Sequence, residues 1–139
     1  MAKFEHGKKW MPAMYVAYYG ILNEIAKKHG YMLCVHGSVV RDFDVVFVPF
    51  DEKISTHKEV LDDIEMMVGI KGDDRFFEGE WKLYGYEPHG RSCYVIECGG
   101  GGYFDISFTP TLKDVHDLYE ALEKKKKEVQ DVLDSSRVD

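Results

Sequence analysis

Two aspartates one residue apart, Asp42 and Asp44, lie in an otherwise apolar run that reads D-F-D-V-V-F-V. Alternate side chains of a strand point to opposite faces, so the two carboxylates share a face and Phe43 points the other way, into a core. Such a pair resists ionising together unless a cation sits between the carboxylates. Hard oxygen ligands suit Mg²⁺ or Mn²⁺, so the pair predicts a divalent metal site. The alternative is that the acids simply solvate an exposed strand face.

Two further features accompany the acids. Gly37 and Ser38 precede them, and we interpret this Gly-Ser pair as the turn that leaves a short buried strand at 32–36. A later strand at 103–108 alternates in the same way, which places Asp105 on the face opposite Phe104 and Ile106. Asp105 is therefore a lone acid inside a strand.

Composition limits the protein class. The 139 residues, 45% apolar and 14% aromatic, suit one compact domain over residues 1–139. A net charge of −7 argues against duplex DNA or an anionic membrane as a partner. Three cysteines without a C-x-x-C spacing argue against a disulfide framework or a zinc site. With no apolar run as long as a membrane span and no signal-peptide pattern, we expect a soluble, cytoplasmic protein.

Periodicity predicts the elements that position these residues. Helices are expected from Pro12 to a stop at Gly30, after a Thr56–Glu59 capping box, and over 112–134. Strands are expected at 32–36, 42–48, 81–86, 92–98 and 103–108, with a glycine hairpin at 99–102. Residues 1–9 read as a flexible arm and 69–79 as a mobile loop. Tyr15, with its neighbouring tyrosines, is interpreted as packing. The order is α-β-β-α-β-β-β-α.

The acids, the Gly-Ser turn and this order resemble the nucleotidyltransferase fold of the DNA polymerase β superfamily over residues 32–108. In that superfamily a strand leads to a Gly-Gly or Gly-Ser turn, then to a strand bearing D-x-D, and later to a strand with a third acid. The matching residues are Gly37, Ser38, Asp42, Asp44 and Asp105. The resemblance implies a minimal nucleotidyltransferase fold of the α/β (α+β) class, with helices packed on a mixed sheet of about four or five strands.

The resemblance also implies an activity. Asp42, Asp44 and Asp105 would be catalytic and would bind Mg²⁺ or Mn²⁺, Asp105 also helping to deprotonate an acceptor hydroxyl. Gly37 would let the backbone approach the triphosphate, and Ser38 would donate to phosphate oxygens. The expected function is metal-dependent transfer of a nucleotidyl group from an NTP to a hydroxyl of a protein, an RNA or a small molecule.

The chain departs from the superfamily pattern between the turn and the acids, where only Val39, Val40 and Arg41 intervene. This shortened form resembles a group of small phage and bacterial proteins with an H-G-S-x-x-R-D-F-D-like core and a later D-x-S. The shortening brings Arg41 next to the acids, where it either clamps phosphate or neutralises Asp42.

Other residues are weaker candidates. Arg91, in a Pro-His-Gly-Arg turn, is favoured over His89 for contact with the nucleotide. His36 is more often a structural group at such a position, and Lys82 is weaker still.

A second function is kept open. A chain of this length leaves little room for both substrates, so a homodimer or a partner protein is expected to supply the acceptor site. The alternative is a catalytically inactive nucleotide- or protein-binding module of the same fold, such as a phage-encoded modulator of a host system.

Overall fold

The computed structural model describes residues 11–68, 81, 83–98 and 102–137. The arm predicted at 1–9, the loop predicted at 69–79, Lys82 and most of the glycine hairpin lie outside these residues. The chain divides into two units, Met1–Thr109 and Pro110–Asp139. Their combination into one domain stays a prediction.

The described residues of the first unit form two helices and five strands. In chain order these are α1 (Pro12–Lys28), β1 (Tyr31–His36), β2 (Asp42–Pro49), α2 (His57–Val68), β3 (Gly85–Glu87), β4 (Arg91–Glu97) and β5 (Tyr103–Phe108), with a 3₁₀ turn, Pro88–Gly90, before β4. The second unit contains α3 (Leu112–Ser135). The predicted α+β class, element order and mixed sheet are confirmed. Among the described residues, no helix combines the length and the apolar character needed to cross a bilayer.

The five strands form one sheet in the order β1-β2-β5-β4-β3. β2 and β5 are parallel, whereas the other neighbouring pairs are antiparallel. A parallel pair needs a long connection, and here the chain passes through α2 and two further strands between β2 and β5. β2 and β5 therefore begin at the same end of the sheet, where Asp42 of β2 pairs with Tyr103 of β5.

One face of the sheet is part of the hydrophobic core. The fully buried side chains of the central strands are large and apolar, and they join residues of α1 and α2 in one cluster: Phe43, Val45, Phe47, Phe104, Ile106 and Phe108 with Tyr15, Leu22, Val60, Leu61 and Ile64. Burial of each contributes about 1.5–3 kcal/mol to stability. Side chains alternate along a strand, so Asp42 and Asp44 of β2 and Asp105 and Ser107 of β5 project from the other face of the sheet. We call this the acidic face.

The C-terminal end of α1 is tied to α2. Gly30 ends α1 in the left-handed region at φ +83°, and a side chain there would collide with the carbonyl oxygen of Lys53. His29 contacts Ser55 Oγ through Nδ1 at 2.7 Å and Asp63 Oδ2 through Nε2 at 2.9 Å. Lys28 Nζ donates to the same oxygen of Asp63 at 2.8 Å.

The predicted capping box of α2 is present. Thr56 Oγ1 accepts from the Glu59 amide at 3.3 Å, and Glu59 Oε2 accepts from the Thr56 amide at 2.8 Å. The Thr56 amide and the Thr56 hydroxyl both donate to Glu59 Oε2, and these two hydrogen bonds lower the pKa of Glu59 from its usual value. The first turn of α2 is therefore fixed by its own sequence.

The third strand is shorter than predicted. The pattern predicts a strand at 81–86, whereas β3 covers only Gly85–Glu87 and Trp81 forms an isolated bridge. Trp81 is 8% exposed and its indole N–H donates to Asp62 Oδ1 of α2 at 2.8 Å. The packing of this large ring against α2, which local sequence cannot show, competes with continuous pairing in the sheet.

Candidate functional site

The three aspartates lie on the acidic face of the sheet. Asp44 of β2 is the register partner of Asp105 on β5, and Asp42 lies two residues from Asp44 on the same strand. Register partners on adjacent strands project to the same face, so the three carboxylates share it. All three residues are partly exposed. His36 of β1, the partner of Asp44 on the other side, is exposed and extends the row.

The Gly-Ser turn lies directly against the second acid. Gly37 has φ +75°, a left-handed conformation, and a Cβ at this position would collide with Asp44 Oδ2 and lie 3.1 Å from Asp44 Cγ. Only glycine meets both conditions without strain, because it has no Cβ. Ser38, the next residue, is exposed. The structure thus brings the turn and Asp44 together.

The short connection into β2 is held by α1. Val39 adopts φ +55°, which is unusual for a β-branched residue, and packs against the core. The amide of Met11 donates to Val40 O at 3.1 Å. Together these contacts fix a turn in which Arg41 is exposed beside the start of β2.

Tyr15 of α1 joins the two strands that carry the acids. Its ring is fully buried and stacks on Phe43 with centroids 5.6 Å apart. Its hydroxyl donates to Arg41 O at 2.5 Å and accepts from the Tyr103 amide at 3.3 Å. Burial raises the pKa of Tyr15, and the nearby charges of the aspartates add to this effect. A neutral Tyr15 hydroxyl therefore links Arg41, directly before β2, to Tyr103, the first residue of β5, which is a role beyond the packing predicted for Tyr15.

Asp105 has a thiol partner that sequence reasoning did not identify. Cys93 of β4 is buried, and its Sγ donates to Asp105 Oδ1 at 3.0 Å. Cys93 pairs in register with Ser107, and Val95 pairs with Asp105, so the thiol reaches the carboxylate diagonally. Residues two apart on a strand share a face, so Cys93 lies on the same face as Val95, and Ser107 lies on the same face as Asp105. This alternation is the sequence signal that could have placed Cys93 on the acidic face.

Arg91 lies on the same face, beyond Ser107. Its Nη1 donates to Ser107 Oγ at 2.9 Å, and Ser107 is only 3% exposed. Arg91 is partly exposed, and its planar guanidinium is held near the last residues of β5. Asp42 lies at the other end of the face, beside Tyr103, the first residue of β5. The other basic candidate of this turn, His89, is exposed in the 3₁₀ turn with φ +67°.

The acidic face has the donor chemistry of a hard-cation site. Among residues 11–68, 81, 83–98 and 102–137, no three His, Cys, Asp or Glu side chains are grouped closely enough to hold a metal ion by themselves. Mg²⁺ usually takes one or two protein carboxylates and completes its shell with water and substrate phosphates. Asp44 and Asp105, on adjacent strands at the same register, match that requirement.

Comparisons of the chain with models of protein families, with curated proteins and with solved structures find no match. The groups that the acidic face offers are set by its own residues. They are a carboxylate pair in register, a third carboxylate on the same strand, an exposed Gly-Ser turn and an arginine held by a serine. Carboxylates are ligands of hard cations in proteins, and arginine and exposed backbone amides are common phosphate donors.

Proposed function

We propose that this protein transfers a nucleotidyl group from an NTP to a hydroxyl acceptor in a reaction that requires Mg²⁺ or Mn²⁺. The observation that carries the proposal is the contact of the Gly37 backbone with Asp44 together with the register pairing of Asp44 and Asp105. A phosphate-binding turn and two carboxylates are thus adjacent on one face. The proposal includes the nucleotidyltransferase type of the fold, which the resemblance of Gly37, Ser38 and the three aspartates to that superfamily implies.

Each residue of the face has a distinct role. The exposed Gly37–Ser38 turn approaches the triphosphate, because no side chain at Gly37 stands between the backbone and Asp44. Asp42, Asp44 and Asp105 would hold Mg²⁺ or Mn²⁺ together with water and the phosphates of the substrate, and the ion would offset the charge of the triphosphate and of the leaving pyrophosphate. Arg91, oriented by Ser107, contacts a phosphate at the far end of the face. Arg41 is placed to contact the substrate or to balance Asp42.

The transfer step forms one ester bond and breaks one anhydride bond. The acceptor oxygen attacks the α-phosphorus, and the bond from that phosphorus to the oxygen bridging the β-phosphate breaks. Pyrophosphate leaves with the electron pair of the broken bond. The hydroxyl proton passes to Asp105, whose Oδ1 accepts from Cys93 and whose Oδ2 takes the proton. The acceptor is a protein, an RNA or a small molecule, and a homodimer or partner protein contributes to its binding.

A second candidate is a non-catalytic module that binds a nucleotide or a protein through the same face. The three-residue connection Val39–Arg41, fixed by Tyr15 and by the Met11 amide, favours this candidate. A short and rigid turn limits how the triphosphate can be arranged for in-line attack. Binding would then persist without turnover.

Label transfer tests the proposal. Each NTP, labelled on the α-phosphate or on the γ-phosphate, is incubated with the protein, Mg²⁺ or Mn²⁺ and a cell lysate as the source of acceptor. We expect stable transfer of the α-label but not of the γ-label. Asp44→Asn should reduce it at least about 100-fold, because a lost carboxylate weakens the metal site in the transition state. Asp51→Asn, which neutralises an exposed aspartate outside the acidic face, should leave transfer unchanged.

Asp105→Asn distinguishes the two candidates. In an enzyme it abolishes transfer while much of the nucleotide affinity remains, since Asp42 and Asp44 still bind the metal. A wild-type protein that binds NTP but transfers no α-label under any of these conditions would support the binding module instead. Transfer that is equal in wild type and Asp44→Asn would contradict the enzyme proposal.

A further inference from the structure

The C-terminal helix α3 exposes a long row of apolar side chains. It spans 24 residues, and its start is fixed by a capping box in which Thr111 Oγ1 accepts from the Asp114 amide at 3.0 Å. None of its residues, all of which belong to the described part of the chain, is buried. Its exposed apolar residues are Leu112, Val115, Leu118, Tyr119, Leu122, Val129, Val132 and Leu133. Helices in proteins gain most of their stability from packing of an apolar face, so a helix with this composition gains stability from a partner.

The apolar residues of α3 follow a heptad pattern. Val115, Leu122 and Val129 are seven residues apart, which places them at one seam position. Leu118 and Val132 occupy the second seam position, three residues later in their heptads. Leu112, Tyr119 and Leu133 widen one side of this seam. This spacing is typical of a helix that packs along its length against another helix.

The seam has a two-fold pattern about the middle of the helix. If two copies of α3 lie antiparallel, residues at the first seam position of one copy face residues at the second seam position of the other. Val115 then faces Val132, and Leu118 faces Val129. On the widened side, Leu112 then faces Leu133. A symmetric pair of identical chains needs a self-complementary surface of this kind.

The charges of α3 select this orientation. Lys124–Lys127 form a run of four cations near the centre, with acidic residues on both sides, and Lys125 occupies a seam position. Parallel pairing would place this run against itself. Antiparallel pairing instead places Lys125 over Leu122 of the other copy, where its aliphatic stem can pack, and Lys126 beside Tyr119, so the two lysine runs lie at different levels along the pair.

From this pattern we propose that α3 is a self-association helix, which pairs with α3 of a second copy in antiparallel orientation. The proposal is independent of nucleotidyl transfer, because no residue of the acidic face takes part. The proposed complex is a homodimer in which two chains pair through their α3 helices.

Sedimentation equilibrium of the full chain over a wide concentration range tests this association. We expect a reversible dimer. Leu118→Gln combined with Val129→Gln should weaken dimerisation at least about 100-fold, because both copies lose apolar burial at both sites. The matched control, Asp117→Gln combined with Asp131→Gln, changes the opposite side of α3 and should leave the dimer intact. A wild type that stays monomeric, or a dimer that is insensitive to the seam variant, would overturn the proposal.

Cysteine cross-linking tests the orientation. Val115→Cys and Val132→Cys chains are oxidised separately and after mixing, with the wild-type chain setting the background from its native thiols. Antiparallel pairing predicts a disulfide-linked dimer mainly in the mixture, where residues 115 and 132 meet. Strong cross-linking of either variant alone, with none added by mixing, would show parallel pairing and contradict the proposed register.

Discussion

At the scale of single residues, the contact between Gly37 and Asp44 decides the shape of the candidate site. The left-handed turn and the absence of a side chain allow the backbone to lie against a carboxylate on the neighbouring strand. Tyr15 and Cys93 act at the same scale, because each fixes one part of the acidic face through a buried side chain. A site that is held in place before substrate binds loses less entropy when substrate arrives.

Substitution of Gly37 tests this contact. Gly37→Ala should lower the free energy of unfolding by about 1–2 kcal/mol from the left-handed conformation alone, with a further loss from the clash with Asp44. The measurement is denaturant unfolding followed by circular dichroism. Gly20→Ala is the matched control, because Gly20 lies in α1 with open space around it. This variant should be up to about 1 kcal/mol more stable than wild type, since alanine favours a helix more than glycine does. Equal stability of Gly37→Ala and wild type would show that the turn does not need glycine.

Sequence reasoning reached part of this site. Alternation in β2 was sufficient to place Asp42 and Asp44 on one face, because that rule needs only neighbouring residues. The pairing of Asp44 with Asp105 depends on a parallel register set across a long connection, which local pattern could not give. The resemblance implied only that Asp105 joins the other two acids at one metal site. The Cys93–Asp105 hydrogen bond and the Tyr15 bridge depend on tertiary contacts, so the residue pattern alone did not reveal them.

At the scale of elements, the most strongly patterned segments were predicted well. β5 has the predicted bounds, and α1 and α2 begin at their predicted proline and capping box. β3 was wrong in extent, because Trp81 satisfies its indole N–H on α2 instead of continuing the strand. Local signals therefore located elements, whereas packing of a single large ring decided where one of them ended.

The hydrogen bonds of Lys28 and His29 with Asp63, which tie the end of α1 to α2 and which we call the tether, give a prediction about stability in acid. Hydrogen bonds from Lys28 and then from His29 hold the pKa of Asp63 below its usual value. A depressed folded-state pKa stabilises the fold above the unfolded-state pKa of about 3.9, and that stabilisation is lost as the pH falls through the folded-state pKa. Asp63→Asn should therefore be about 1 kcal/mol less stable at neutral pH.

Urea unfolding at pH values between about 5 and 2 measures this effect. The wild type should lose more free energy of unfolding over this range than Asp63→Asn, whose side chain does not titrate. Asp51→Asn, at an exposed position after β2, controls for the general loss of one carboxylate. Parallel acid profiles for wild type and Asp63→Asn would contradict the tether.

At the scale of the whole molecule, the net charge of −7 opposes the approach of a free triphosphate. The acidic face concentrates three of these negative charges at the place where the nucleotide is proposed to bind. A divalent cation removes the conflict, because it can bind carboxylates and phosphates together. Nucleotide affinity should therefore depend on the metal far more strongly than on the basic residues Arg41 and Arg91.

The most direct measurement is calorimetric titration of NTP into the wild-type protein with Mg²⁺, with Mn²⁺ and with a chelator. We expect binding with either metal and none with the chelator. Asp44→Asn should weaken metal-dependent binding at least about 10-fold, equivalent to about 1.4 kcal/mol, whereas Asp51→Asn should bind like wild type. A wild type that binds no NTP in the presence of metal, or an Asp44→Asn variant that binds as tightly as wild type, would contradict the assignment of the acidic face as a metal-nucleotide site.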